Sequence, residues 1–125
     1  MPADPEADWR ILIVDDSRDD AELTEIALRE SGLPFACRWV STGPALEEAL
    51  PAFAPQLVIS DLNLPGFSGE EALAIVRAHD PALPFVYLTG SLAPPEAPPR
   101  PAEGLLLKDD LRPLVPLVRE LLGIA

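Results

Sequence analysis

Acidic, hydroxyl and cationic side chains stand at the ends of four short apolar runs in this 125-residue chain. They are Asp15 and Asp16 after Arg10–Val14, Asp61 shortly after Leu57–Ile59, Thr89 at the end of Pro84–Thr89, and Lys108 after Gly104–Leu107. Where such positions converge, carboxylates repel one another by roughly 4 kcal/mol per pair at 4 Å with an effective dielectric constant near 20. A hard divalent cation and the ammonium of Lys108 would cancel that repulsion. Oxygen-only ligands with room for water suit Mg²⁺.

These residue types indicate phosphoryl-transfer chemistry. A carboxylate, a Mg²⁺ ion, a hydroxyl and a lysine around one cavity are the parts needed to form an aspartyl phosphate. In this hypothesis Asp61 attacks phosphorus while the metal neutralises the developing charge. Thr89 and Lys108 hold the other phosphoryl oxygens.

Strands and helices that could position these side chains alternate along the chain. The predicted strands are Arg10–Val14, Phe35–Val40, Leu57–Ile59, Pro84–Thr89 and Gly104–Leu107. The predicted helices are Asp19–Glu30, Pro44–Phe53, Glu70–His79 and a last one from near Leu111–Pro113 to Leu121 or Leu122. Ser17 is expected to cap the first helix, in which Leu23 and Ile26 fall at helical spacing. Pro44 is expected at the first position of the second helix, and Pro116 is tolerable only in the first turn of the last.

This alternation predicts an α/β fold with a flavodoxin-like, doubly wound parallel sheet of five strands. Right-handed crossovers leave few topologies, and strand order 2-1-3-4-5 is the expected one. The first and third strands are then neighbours at the switch point, where such sheets bind ligands at the carboxyl ends of their strands. The reactive side chains would therefore meet at one edge of the sheet.

Two segments interrupt the regular pattern. Residues 94–101 read Pro-Pro-Glu-Ala-Pro-Pro-Arg-Pro, where each proline inside a helix would cost about 3 kcal/mol. The fourth helix is therefore expected to be shortened or replaced by an irregular or polyproline-like loop. Pro65, Gly66 and Gly69 predict an irregular loop after the third strand.

Composition excludes several classes of protein. The formal net charge of −12 argues against nucleic acid and anionic membrane surfaces as partners. No apolar run approaches the ~20 residues of a membrane span. Residues 1–8 are interpreted as a frayed leader and residues 9–125 as one domain. A lone Cys37 allows no internal disulfide, which favours a reducing cytoplasm.

Four sequence motifs together resemble the receiver domain of two-component response regulators, over roughly residues 9–125. They are Val14-Asp15-Asp16-Ser17, Asp61-Leu62-Asn63-Leu64-Pro65-Gly66 with Gly69, Leu88-Thr89-Gly90, and Leu107-Lys108. The resemblance implies that Asp61 receives a phosphoryl group from a sensor histidine kinase or a phosphotransfer protein. It also implies that Asp16, Asp61 and the backbone carbonyl of Asn63 bind Mg²⁺, with Asp15 helping through water. Thr89 would be the switch hydroxyl and Lys108 the phosphate-contacting lysine.

The chain departs from that family at three places. Leu105 stands where the family usually has an aromatic switch residue, and Asp109 follows Lys108 in place of the usual proline. The third departure is the proline-filled fourth helix. Receivers commonly signal, and often dimerise, through the fourth helix, fifth strand and fifth helix. The resemblance therefore allows a homodimer and a downstream protein target, but this output face differs from the usual one.

Simpler interpretations and other functions stay open. The pair Asp15-Asp16 alone could be an acidic turn, and Cys37, Trp9 and Trp39 are expected to pack at or near the sheet edge. His79 is expected on the surface at a helix end. A phosphorylation-independent adaptor would keep the fold without the switch. Leu105 and the missing fourth helix favour it, whereas the complete set of acids with Thr89 and Lys108 opposes it. A Mg²⁺-dependent phosphohydrolase is disfavoured because Asn63 stands where a second acid would be needed and no substrate cap follows.

Overall fold

The structure is a computed structural model that describes residues 9–30, 32, 34–64, 67–90, 103–108 and 110–123. Four features of the sequence lie outside the described residues: the expected leader 1–8, Pro65-Gly66, the proline stretch 94–101, and Asp109. The expectations that fall on them stay predictions.

The described residues contain four helices and the five strands of the main sheet, besides a short two-stranded ribbon described below. The strands are β1 (Trp9–Val14), β2 (Phe35–Val40), β3 (Leu57–Asp61), β4 (Phe85–Thr89) and β5 (Gly104–Leu107). The helices are α1 (Arg18–Arg29), α2 (Gly43–Phe53), α3 (Gly69–His79) and α4 (Leu114–Leu122). Among the described residues, no helix is long and apolar enough to cross a lipid bilayer.

All five strands run parallel in the order β2-β1-β3-β4-β5, which confirms the predicted fold and topology. The central strands are apolar on both faces, because helices cover both. Side chains that alternate along β1, β3 and β4 divide between two cores, one shared with α2 and α3 and the other with α1 and α4. β2 lies at an edge of the sheet, as its more polar sequence predicts.

Helix α1 packs through a different face from the one its leucine and isoleucine suggest. Ser17 caps it as predicted, accepting a hydrogen bond from the backbone N–H of Asp20. Leu23 and Ile26 are exposed, whereas the buried residues are Ala21, Thr24 and Leu28. Both sets have helical spacing, so periodicity alone does not choose between them. Thr24 can be buried because its hydroxyl donates to the carbonyl of Asp20 at 3.1 Å.

Prolines occupy three positions in the helices of the described residues. Helix α2 begins at Gly43 with Thr42 as its cap, so Pro44 is the second helical residue rather than the first. It still lies in the turn whose N–H groups lack helical partners. Pro51 lies inside α2 and removes a helical hydrogen bond, although the apolar stripe of the helix continues past it. Pro116 is the third residue of α4 and therefore lies in the first turn, as predicted.

The segment after β3 is more regular than predicted. Asn63–Leu64 and Phe67–Ser68 pair as a short antiparallel ribbon in place of an irregular loop. Ser68 then caps α3 in a capping box with Glu71. Gly69 follows at once, and a Cβ atom there would lie 2.8 Å from the carbonyl oxygen of Asp61. Glycine therefore lets the chain turn tightly against the end of β3.

Candidate functional site

Three carboxylates meet at the carboxyl ends of β1 and β3. Asp15 follows β1 directly and Asp61 is the last residue of β3, and these strands are hydrogen-bonded neighbours. The two side chains are 1% and 9% exposed, whereas Asp16 lies on the surface. One oxygen from each of the three carboxylates lies within 4.8 Å of the other two. Such an all-oxygen group, partly open to water, fits a hard divalent cation such as Mg²⁺.

Asp15 is held by contacts to both its side chain and its backbone. Its Oδ1 accepts a hydrogen bond from the backbone N–H of Ser17 at 2.9 Å. Its backbone N–H donates to the carbonyl of Val40 at 3.0 Å, and its carbonyl accepts from the indole N–H of Trp39 at 2.7 Å. Burial raises the pKa of Asp15, and the hydrogen bonds from Ser17 and Lys108 offset part of that rise.

Lys108 supplies the positive charge of the site. Its Nζ lies 3.0 Å from Oδ2 of Asp15, 3.0 Å from Oδ2 of Asp61 and 2.8 Å from Oδ2 of Asp20. The side chain is only 18% exposed. Burial alone would lower the pKa of Lys108, but the hydrogen bonds to Asp20, Asp61 and Asp15 outweigh it and hold the pKa above its ordinary value. The ammonium therefore neutralises part of the carboxylate charge.

The backbone fixes where Lys108 begins. β5 pairs with β4, and the N–H of Lys108 donates to the carbonyl of Thr89 at 2.8 Å. Thr89 is buried at the end of β4, one residue beyond Leu88, which pairs with Asp61. The strand ends thus bring Asp61, Thr89 and Lys108 to one edge of the sheet, as the sequence predicts. Asn63 begins the ribbon two residues after Asp61, and the metal role of its carbonyl stays a prediction.

Sequence reasoning missed Asp20 as a member of this site. Acidic residues in the first turn of α1 suit the dipole of that helix, which by itself gives no reason to place any of them in the site. Asp20 is the third residue of α1, and its carboxylate makes the shortest of the three contacts to Lys108. The available signal was position, because a helix that follows a parallel strand starts at the edge of the sheet where the strand ends.

Four other residues singled out in the sequence lie away from the carboxylates or contact them only through the backbone. His79 is exposed at the end of α3. Cys37 is half-buried, and burial with help from Glu25 raises its pKa to about 12, so it stays a thiol that packs at the sheet. Trp9 packs against the α1–α4 side of the sheet. Trp39 differs from the packing role expected, since its indole bonds the backbone of Asp15.

Comparison with known proteins gives a consistent match. A family model described as response regulator receiver domain matches residues 11–99. A DNA-binding response regulator, MtrA of Mycobacterium tuberculosis, is 39% identical over 80 residues, covering 64% of this chain and 34% of the relative. The response regulator protein FleR of Pseudomonas aeruginosa is 36% identical over 83 residues, covering 64% of this chain and 16% of that protein. The matched part thus spans about a third or less of these curated relatives.

Solved structures extend the likeness over nearly the whole chain. A putative response regulator from Chloroflexus aurantiacus has a TM-score of 0.79 and 30% identity, over 93% of this chain and 98% of that one. The N-terminal domain of a response regulator/sensory box/GGDEF protein from Carboxydothermus hydrogenoformans has a TM-score of 0.79 and 26% identity. That second likeness covers 91% of this chain and 94% of the other.

Proposed function

Because this chain belongs to the response regulator receiver domain family of two-component systems, we propose that it accepts a phosphoryl group on Asp61 with the help of Mg²⁺. The donor would be a histidine of a sensor kinase or of a phosphotransfer protein. The observation that carries the proposal is the contact of one ammonium, that of Lys108, with the buried carboxylates at the ends of β1 and β3. Acidic residues in an ordinary surface turn would stay exposed, because burial of a carboxylate costs solvation free energy.

In the proposed reaction, an oxygen of the Asp61 carboxylate forms a bond to phosphorus. The bond between phosphorus and the donor nitrogen breaks, and its electron pair stays on the imidazole, which takes up a proton. A bound Mg²⁺ would neutralise charge that develops on the phosphoryl oxygens. Asp15, Asp16 and Asp61 would hold that ion, together with the carbonyl of Asn63.

Two residues of the chain would bind the transferred group. The ammonium of Lys108, which contacts Asp61, would donate to a phosphoryl oxygen after giving up or sharing one of its present contacts. The hydroxyl of Thr89 is the proposed second donor, because Thr89 stands at the end of the strand beside β3. The product is an acyl phosphate on the chain itself. We therefore propose a signalling role, with no turnover of a separate substrate, in which phosphorylation changes contacts with a protein partner.

The alternative, a phosphorylation-independent adaptor, is favoured by one observation. Leu105 is 43% exposed on the edge strand β5, and an aliphatic side chain there cannot make the ring rotation usual for the family. An adaptor would keep this surface without using Asp61 as an acceptor.

The test is to incubate the protein with Mg²⁺ and acetyl phosphate and to measure its intact mass. We expect one phosphate adduct in the wild-type protein and none after Asp61→Asn. Asp19→Asn is the matched control, since Asp19 is an exposed acid of α1, and it should gain the adduct as wild type does. No adduct on the wild-type protein would favour the adaptor. Continuous release of phosphate over many turnovers would favour a phosphohydrolase.

A further inference from the structure

Asp20 binds the same ammonium that Asp61 binds. Its Oδ2 lies 2.8 Å from Nζ of Lys108, against 3.0 Å for the oxygen of Asp61. The start of α1 fixes its backbone, since its N–H donates to Ser17 Oγ and its carbonyl accepts from Thr24. Asp20 is thus held beside Lys108.

The ammonium has no spare hydrogen for another acceptor. A lysine amine carries three N–H donors, and Lys108 directs them at the carboxylates of Asp15, Asp20 and Asp61. A phosphoryl oxygen on Asp61 could be bound only if one of these contacts were given up or shared. Binding of phosphate therefore depends on which carboxylate remains hydrogen-bonded to the ammonium.

A divalent cation would affect the three carboxylates unequally. Asp15 and Asp61 belong to the group of oxygens that fits such an ion, whereas Asp20 does not. Charge on the first two would be neutralised by the ion, so their attraction for Lys108 would weaken. Asp20 would keep its full charge, and its carboxylate is 41% exposed at the mouth of the site. Asp20 would then attract the ammonium of Lys108 more strongly than Asp61 does.

We propose that Asp20 is a positioning residue that competes with the phosphoryl group for Lys108 and so slows phosphoryl transfer to Asp61. This inference rests on the proposed phosphoacceptor function. It assigns to the first turn of α1 a part in setting the rate of phosphorylation. No contact of Asp20 with the reacting atoms is required, because it acts through the lysine.

The first experiment measures the rate of phosphorylation by acetyl phosphate with saturating Mg²⁺. Asp20→Asn keeps the size of the side chain and removes its charge. We expect the rate to rise about two- to fivefold, the range of a partly exposed charge pair. Asp19→Asn removes the same charge one residue away and should stay close to the wild-type rate. A rate for Asp20→Asn that is unchanged or lower overturns the proposal.

A second experiment separates competition for Lys108 from a general effect of charge. In a Lys108→Gln background, adding Asp20→Asn should leave the rate unchanged, because the ammonium is gone. The same two- to fivefold rise in that background would mean that Asp20 acts directly on the incoming phosphate, which overturns the proposal.

A third measurement needs no metal and decides the matter if Lys108→Gln reacts too slowly to be timed. The free energies of unfolding of the wild-type protein, the two single variants and the double variant form a thermodynamic cycle in urea. With Lys at position 108, Asp20→Asn removes one partner of an ion pair and should lower the free energy of unfolding. With Gln at position 108, the Asp20 carboxylate has no ammonium beside it, so the same substitution should lower the free energy of unfolding less or raise it. Additive changes would show that the pair is absent in solution. If wild type gains no phosphate on Asp61, it is the proposed function that fails.

Discussion

The ammonium of Lys108 lies 3.0 Å from Oδ2 of Asp61, although 47 positions separate the two residues in the chain. The same ammonium lies 3.0 Å from Oδ2 of Asp15. These carboxylates are also two of the three that could share a divalent cation. The lysine and a metal ion therefore draw on the same negative charge, and each should weaken the binding of the other.

Removal of the lysine charge should strengthen metal binding. In Lys108→Gln we expect the affinity for Mg²⁺ to rise about tenfold or more, because a competing positive charge near 3 Å is lost. Isothermal titration calorimetry measures this affinity. Arg112→Gln removes an equal charge from an exposed ion pair with Asp110 and should leave the affinity nearly unchanged. Weaker binding in the lysine variant would contradict this account.

The pH dependence of stability should reveal the buried carboxyl of Asp15. Its pKa is raised in the folded state, so the folded protein binds the proton more tightly than the unfolded chain does. That contribution to stability is complete below the ordinary value of 3.8 and is lost as the pH rises through the raised folded pKa. The Asp15→Asn variant has no titratable group at this position, so its stability does not change with pH for this reason.

We therefore expect the free energy of unfolding of Asp15→Asn, relative to wild type, to increase as the pH rises from 3.8 upward in metal-free buffer. Urea titrations at several pH values measure this difference. A difference that stays constant over the range, or that shrinks, would count against a raised pKa for Asp15.

The close approach of Gly69 to the end of β3 should make it intolerant of a side chain. A Cβ atom would lie 2.8 Å from the carbonyl oxygen of Asp61, and the backbone cannot yield as a flexible side chain could. Gly69→Ala should lower the free energy of unfolding by about 1–3 kcal/mol. Gly43→Ala is the control, because its nearest neighbour is a side-chain atom of Ile75 at 3.8 Å. Urea denaturation measures both free energies of unfolding. Equal values for the two variants would contradict a steric requirement for glycine at position 69.

The indole of Trp39 should contribute to the geometry of the acidic site. Trp39→Phe keeps an aromatic ring but loses the 2.7 Å hydrogen bond to the carbonyl of Asp15. We expect a loss of about 1 kcal/mol in stability and weaker Mg²⁺ binding. Tryptophan fluorescence should respond to Mg²⁺ in Trp9→Phe, where Trp39 remains, and not in Trp39→Phe. A change in fluorescence on adding Mg²⁺ to Trp39→Phe, where Trp9 remains, would contradict this role of Trp39.

Strand ends could be predicted from the sequence because their signals are local. The runs before Asp15, Asp61 and Lys108 are apolar and short, and the parallel topology that they imply brings their carboxyl ends together. The positions of these residues in the structure agree with that expectation.

The contacts that sequence reasoning missed depend on how each helix is rotated about its axis and on which neighbouring element it faces. Asp20 joins the site only because α1 begins beside the strand ends and faces its third residue toward Lys108. The exposure of Leu23 and Ile26 reflects the same rotation of α1, which periodicity leaves undetermined. Trp39 was expected to pack at the sheet edge, since a donor that reaches a backbone carbonyl just beyond the end of another strand leaves no pattern in the sequence.

The contacts of Lys108 span 47 residues to Asp61 and 88 residues to Asp20, so their formation closes very long loops. During synthesis, Asp15 and Asp61 would leave the ribosome well before the lysine that neutralises them. A chain that stops short of residue 108 would carry the acids of the pocket without its ammonium. On the proposed function, the pocket could therefore bind a phosphoryl group only after residue 108 has been synthesised, and chains that stop before it should not react with a kinase.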